Sequence, residues 1–256
     1  MMTFGGHLEV LRRMLFRILG VMVVFAMAVF CCKDLTFNIL LAPSKSDFCL
    51  YRWIEHFFAF LGRDFHFQDF EIQLIATDLS SQFMTHISTS LYIGFLCSSP
   101  YVLFELFRFV SPALYDNERK YSIPVLLIVY LLFIAGVLMS YYILFPISFR
   151  FLGTYSVAEQ VHSTITLDSY ISTFVTLTLV MGVIFQLPVI AFLLAKLDII
   201  NGEMLAKYRQ YAFLIIMITA AIITPPDLMT LILVTIPLYL LYEVSIIVAR
   251  RVQKPK

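Results

Sequence analysis

Residues 122–145 read SIPVLLIVYLLFIAGVLMSYYILF, a stretch without one Asp, Glu, Lys or Arg. Crossing a hydrocarbon core takes about 20 mostly apolar residues in a helix, so this segment is long enough to span a bilayer. It also lacks the strict alternation of a barrel strand. Comparable apolar segments lie at about 14–32, 84–106, 170–195, 211–223 and 228–248. The chain of 256 residues is 61% hydrophobic and 14% charged, far more apolar surface than a soluble domain of this length can bury. The expected fold is an all-α integral membrane protein with six transmembrane helices in one domain, residues 1–256. The fifth segment, YAFLIIMITAAII, is short, about 20 Å as a helix. TPPD at 224–227 then turns the chain, because Pro225 and Pro226 lack amide donors and restrict the residues before them.

Orientation follows from the basic residues. With the N-terminus inside, Lys33, Lys45, Arg52, Arg63 and Arg150 are the outer ones and the remaining thirteen of the 18 Lys and Arg are inner. That bias predicts both termini in the cytoplasm. It also places there the charged segment SPALYDNERK, residues 111–120. The first apolar run follows Arg12, Arg13 and Arg17 with no small-residue cleavage site after it, and is expected to stay as a signal anchor. One long outer loop, 33–83, contains a helix-periodic stretch over 53–61 with Trp53, Phe57, Phe58 and Phe60, expected to lie on the membrane interface. A net charge of +1 gives no reason to expect a nucleic-acid partner.

Motifs for hydrolytic, nucleotide or dinucleotide chemistry are absent, as is any pair of His residues at helix-face metal spacing. No cofactor, metal or catalytic residue is expected. The five His residues, His7, His56, His66, His86 and His162, are scattered. Cys31, Cys32 and Cys49 fall on the outer side, where a disulfide among them is conceivable, and Cys97 is expected to pack within the second helix. Polar residues inside apolar segments say more, because they are costly in hydrocarbon. Gln186 in VIFQLPV, followed by Pro188, has two readings: an interhelical hydrogen bond holding the bundle, or a functional contact. Asp227 stands where its carboxylate can cap the last helix. Glu243 is expected to pair along its own helix with Arg250.

HLEVLRR before the first span, SPYVLFELFRFVSPALYDNERK between the second and third, TPPD between the fifth and sixth and IPLYLLYEVSI in the sixth together resemble the TatC family, the receptor subunit of the twin-arginine translocase. The resemblance covers nearly the whole chain, in order. It implies a concave, glove-like bundle of six helices with the last two short. It also implies a non-enzymatic protein of the bacterial cytoplasmic (inner) membrane. Such a protein binds twin-arginine signal peptides of folded proteins at the cytoplasmic face, and recruits single-span subunits of the TatA/TatB type and other copies of itself for transport driven by the proton gradient.

Carried over residue by residue, the signal-reading carboxylate is Glu118, the aromatic of the same loop is Phe109, and the N-terminal cluster is Glu9, Arg12 and Arg13. Gln186, Asp227 and Pro43 fall at groove or partner-contact positions. The physical rationale for Glu118 is that guanidinium groups stay charged and present fixed donor forks, so their receptor needs carboxylates near the membrane surface.

Four departures from the family pattern stand out. The usual acid of the N-terminal motif is Val10 here and the acid moves to Glu9, about 100° around a helix. The usual glutamate of the fourth helix is Gln186, which cannot ionise, and a polar residue after TPPD is Leu231. The outer loop 44–76 is longer and more aromatic than usual. Two other classes fit the composition: a secondary transporter, although no repeated halves or paired midplane charges are visible, and a structural scaffold, which would be indifferent to neutralisation of Glu118.

Overall fold

The computed structural model describes residues 4–60, 73–110, 122–156 and 164–252. Glu118, with Asp116, Arg119 and Lys120, lies outside the described residues, as do His66, His162 and part of the long outer loop. The described chain is almost entirely helical: α1 (Phe4–Cys31), α2 (Lys33–Leu40), α3 (Cys49–Phe60), α4 (Ser81–Val110), α5 (Ser122–Met139), α6 (Phe145–Thr154), α7 (Leu167–Ile184), α8 (Leu187–Lys196), α9 (Gly202–Lys207), α10 (Arg209–Ile223) and α11 (Leu228–Val252). Leu8–Cys31, Ser81–Phe109, Pro124–Thr154, Leu167–Lys196 and Leu228–Val252 are long and apolar enough to cross a membrane, and Arg209–Ile223 is a shorter apolar helix. The all-α membrane fold, with a short fifth apolar helix, agrees with the reading of the sequence; the last helix, expected to be short as well, instead runs 25 residues from Leu228 to Val252, because the apolar run continues past Pro237 to the basic end.

Helix boundaries depart from hydropathy in instructive ways. α1 starts at Phe4 and not at 14, so HLEVLRR is helical and its side chains take fixed faces. The run ending at 145 continues to Thr154 through a π-helical turn, Ser140–Leu144. That extra residue per turn sits directly before Pro146, whose missing N–H and ring would otherwise break the ladder. The fourth apolar run is broken: α7 ends at Ile184, α8 starts at Leu187, and Pro188 occupies the first turn of α8, where its absent donor costs least.

Close crossings are built on small residues, as expected where lipid supplies no hydrophobic drive for helix association. A Cβ on Gly94 of α4 would lie 2.6 Å from the Ala26 backbone of α1, and one on Gly136 of α5 would lie 2.5 Å from the Met181 carbonyl of α7. The largest buried cluster joins Leu40, Leu144, Phe145, Phe149, Tyr170, Phe174 and Leu238. Tyr170, 1% exposed, meets Phe145 and Phe149 edge to face at 5.0 and 4.8 Å. Its hydroxyl donates to the Leu40 carbonyl at 2.8 Å, satisfying the polar end of a buried ring.

The segment read as a long outer loop is largely structured. α2, a three-ten turn over Ala42–Ser44, and α3 close over the same end of the bundle as α6. Tyr51 of α3 donates to the Pro146 carbonyl at 3.0 Å and reaches the Pro43 carbonyl at 3.4 Å, while Arg150 lies 5.0 Å above its ring. Burial pushes the Tyr51 phenol up to about 12, against the opposing pull of Arg150, so it remains a donor at any physiological pH. Trp53 and Phe60 are exposed, as suits an interfacial helix. A two-residue parallel pairing, Leu74 with Ile165 and Ile75 with Thr166, ties this cap to the start of α7. The period of so short a pairing was invisible in the sequence.

Cys31, Cys32 and Cys49 are free thiols, which answers the question of a disulfide left open among them. Two smaller expectations are corrected. Cys97 is exposed on α4 and does not pack inside. Glu243 pairs at 2.8 Å with Arg209 of α10 and not with Arg250. Arg250 packs closely on the start of α9, where its Cγ would lie 2.3 Å from a Cβ on Gly202.

Candidate functional site

Where α1 begins and α4 ends, the two helices frame a groove of about 290 Å³ lined by Val10, Arg13, Met14, Arg17, Glu105, Arg108 and Phe109. Its floor is apolar: Met14, Ile18 and Val102 are buried, with Leu11, Phe95 and Phe109 packed against them. Its rim is cationic, with Arg13, Arg17 and Arg108 exposed. The groove therefore offers apolar contact and charge at one end of the bundle.

The acid of the N-terminal motif does not serve this groove. Glu9 accepts from Arg13 one helical turn on, and both side chains are more than half exposed. Val10, one residue later, takes the groove-facing position, as the 100° step of a helix requires. Arg12 is exposed on α1 and does not line the groove. Thus Phe109 and Arg13 are brought together, Glu9 and Arg12 stand beside them, and Glu118 falls outside the described residues.

One residue of this groove escaped the reading of the sequence. Glu105 is 5% exposed, receives the Tyr101 hydroxyl at 3.0 Å and stands 3.5 Å from Arg17 of α1. The signal was available: an ionisable residue within the apolar stretch VLFELF is a functional candidate by default.

A second groove, about 300 Å³, runs between α4 and α7 and is lined by Thr85, Ser88, Tyr92, Asp168, Ser172 and Thr176 among others. Deeper in the bundle the Gln186 side chain sits at the α7–α8 break. Its amide nitrogen donates to the Val129 carbonyl of α5 at 3.2 Å and to the Gly182 carbonyl at 3.4 Å. Its Oε1 is buried without a partner among the described residues. The interhelical bond expected of Gln186 is therefore made, with an acceptor left over.

Asp227 caps α11, its Oδ1 accepting from the Thr230 amide at 2.7 Å, as its place after the two prolines suggested. Its Oδ2 is buried and unpartnered among the described residues. Pro43 is buried in the cap between α2 and α3. Gln186, Asp227 and Pro43 thus bond to different elements. Among the described residues no three His, Cys, Asp or Glu side chains gather as a metal site would need.

Fold and grooves define a class: a multi-pass α-helical membrane protein with a cationic, apolar-floored cleft at one end of its bundle. Residues 6–237 match the family described as Sec-independent protein translocase protein (TatC). The chain belongs to the TatC family, whose members are components of a protein translocase and not enzymes. It is 36% identical to the Sec-independent protein translocase protein TatC of Blattabacterium sp. subsp. Periplaneta americana, over 100% of this chain and 97% of that protein. It is 38% identical to TatCy of Bacillus subtilis, over 70% and 71% of the two chains. A crystal structure of the twin arginine translocase receptor TatC superposes with a TM-score of 0.77 at 31% identity, covering 97% of this chain and 100% of that one.

Proposed function

We propose that the protein reads the paired arginines of an export signal peptide at the arginine-rich end of the bundle, which is its cytoplasmic face, in a bacterial inner membrane. Both termini are cytoplasmic in this reading, and residues 1–256 act as one membrane domain. Glu118 accepts one guanidinium. Phe109 and the α1 segment carrying Glu9, Arg12 and Arg13 form the walls of the site, and the apolar part of the signal packs along the helices. Single-span subunits of the TatA/TatB type and further copies of the chain then assemble on it to pass folded cargo, drawing on the proton gradient.

The observation that carries the reading is the α1–α4 groove. It sits at the end where basic residues concentrate, it holds a half-buried Phe109 on an apolar floor, and the chain continues from it directly into SPALYDNERK. Photo-crosslinking from position 109 in membranes tests it. A twin-arginine signal peptide is expected to crosslink and a twin-lysine peptide to do so several-fold less, because an ammonium cannot reproduce the two-pronged fork. Equal crosslinking of the two peptides would remove the receptor reading and leave a scaffold or a solute carrier.

Gln186 is proposed to meet a polar side chain of a partner helix through its unpartnered Oε1. An acceptor lacking a donor inside a bilayer favours any helix that brings one. Copurification of a TatA/TatB-type subunit with Gln186→Leu is expected to fall about threefold or more, the equivalent of roughly 0.6 kcal/mol for one interhelical bond. Undiminished copurification and transport would end that role.

A further inference from the structure

A pair of guanidinium groups needs two carboxylates if both charges are to be met in a poorly hydrated cleft. Under the reading above Glu118 supplies one. On α1 the usual second position is Val10, and the acid displaced to Glu9 is turned away from the groove and engaged by Arg13. In the same groove as Val10, on α4, stands Glu105. We propose that Glu105 is the second arginine acceptor of this chain, the acidic side of the groove having moved from α1 to α4.

Three features of Glu105 fit that role. It is the one carboxylate among the described residues lining the groove, and it is buried in a wall whose floor is apolar, where an ion pair is screened least. Both of its described bonds fall on a single oxygen: the Tyr101 hydroxyl at 3.0 Å and Arg17 at 3.5 Å both reach Oε1. Oε2 has no hydrogen-bond partner among the described residues, so one edge of the carboxylate is held and the other is open to a donor fork. Arg17 is a loose occupant. Its distance is the longest of the four described ion pairs, its side chain is 55% exposed, and 3.5 Å is at the limit of a hydrogen bond.

Two of the three arginines on the rim are already engaged by carboxylates, so the rim does not argue for an anion in place of the peptide. Arg13 is neutralised by Glu9, and Arg17 serves as a stand-in guanidinium. An incoming arginine exchanges like for like at Glu105, and releases Arg17 to solvent at the membrane surface. The resting contact then keeps a buried carboxylate paired when no signal is bound, avoiding an isolated buried charge.

This inference rests on the receptor reading, and binding of synthetic signal peptides to the purified full chain in lipid nanodiscs separates the two. The wild-type chain is expected to prefer the twin-arginine over the twin-lysine peptide. Glu105→Gln is expected to weaken the twin-arginine peptide about tenfold, the scale of one charge-assisted acceptor, with a much smaller change for twin-lysine and an unaltered melting temperature. Val10→Glu in the Glu105→Gln background is expected to restore most of the loss by returning an acid to the other wall. Wild-type selectivity that survives unchanged in Glu105→Gln overturns the inference while sparing the receptor reading, and so does a double variant no better than Glu105→Gln. Absence of any arginine preference in the wild type overturns both. Should Glu105→Gln not fold, Val10→Glu alone decides: its position is exposed, and a gain in twin-arginine affinity supports an acid-lined groove, whereas no gain overturns it.

Discussion

Gly94→Leu drives α1 away from α4 and leaves little folded protein in the membrane. The contact behind this expectation is backbone against backbone: a Cβ at position 94 would come within 2.6 Å of both the Cα and the N of Ala26. No rotamer change relieves such an overlap, since the obstructing atoms belong to a helix and not to the end of a flexible side chain. Small residues at this crossing let the helices approach closely enough for dispersion to replace the missing hydrophobic drive. Overpacking ordinarily costs about 1–3 kcal/mol, and a rigid backbone partner puts this site at or above the upper end. The α1–α4 groove with Glu105 and Phe109 lies on the same helix pair, so its geometry is lost along with the packing. Gly20→Leu is the matched control, because nothing lies within 4 Å of a Cβ built there. Folded yield by size exclusion and thermal unfolding in detergent should separate the two variants. A Gly94→Leu protein that folds like Gly20→Leu would show that α1 is not held at this crossing.

Glu118→Ala is expected to reduce export of a twin-arginine reporter about 100-fold at equal protein level. A guanidinium fork on a carboxylate makes two charge-assisted hydrogen bonds, each contributing about 1.5–3 kcal/mol, and a hundredfold change corresponds to roughly 2.7 kcal/mol. Glu118→Gln keeps the shape and one acceptor but loses the charge, and should fall between wild type and alanine. Glu118→Asp keeps the charge on a shorter stem and should retain more activity than either. If binding is charge-driven at the membrane surface, raising ionic strength should weaken wild type more than Glu118→Ala. Export by Glu118→Ala at the wild-type rate would mean that the segment SPALYDNERK is an ordinary solvated loop, whose ion pairs contribute only about 0–1 kcal/mol.

The residues show why some of the molecule could be read from composition and periodicity. The spans were legible because the cost of a polar side chain in hydrocarbon is large and local, so each uncharged run declares itself without reference to its neighbours. The cap at Asp227 was legible for a similar reason, the turn residues and the capping acid being adjacent in the chain. Glu105 was legible in principle, as an acid inside an apolar run, but its pairing with Arg17 of α1 depends on how two distant helices cross.

Other features depended on residues far apart in the chain. Glu243 pairs with Arg209 of α10, distant in the chain, and not with Arg250 of its own helix. The outer segment became a structured cap because Tyr51, Tyr141 and Tyr170 find carbonyls of distant segments, at Pro146, Ile39 and Leu40. Whether Glu9 or Val10 faces the groove was settled only once α1 proved helical from Phe4 onward. Hydropathy and turn chemistry, which act over a few neighbouring residues, therefore determined that this chain is a multi-pass helical membrane protein and where its helices turn. The pairing of side chains into a groove was decided by tertiary structure alone, because it depends on helix crossing and rotation, and these are set by long-range contacts such as Gly94 against Ala26.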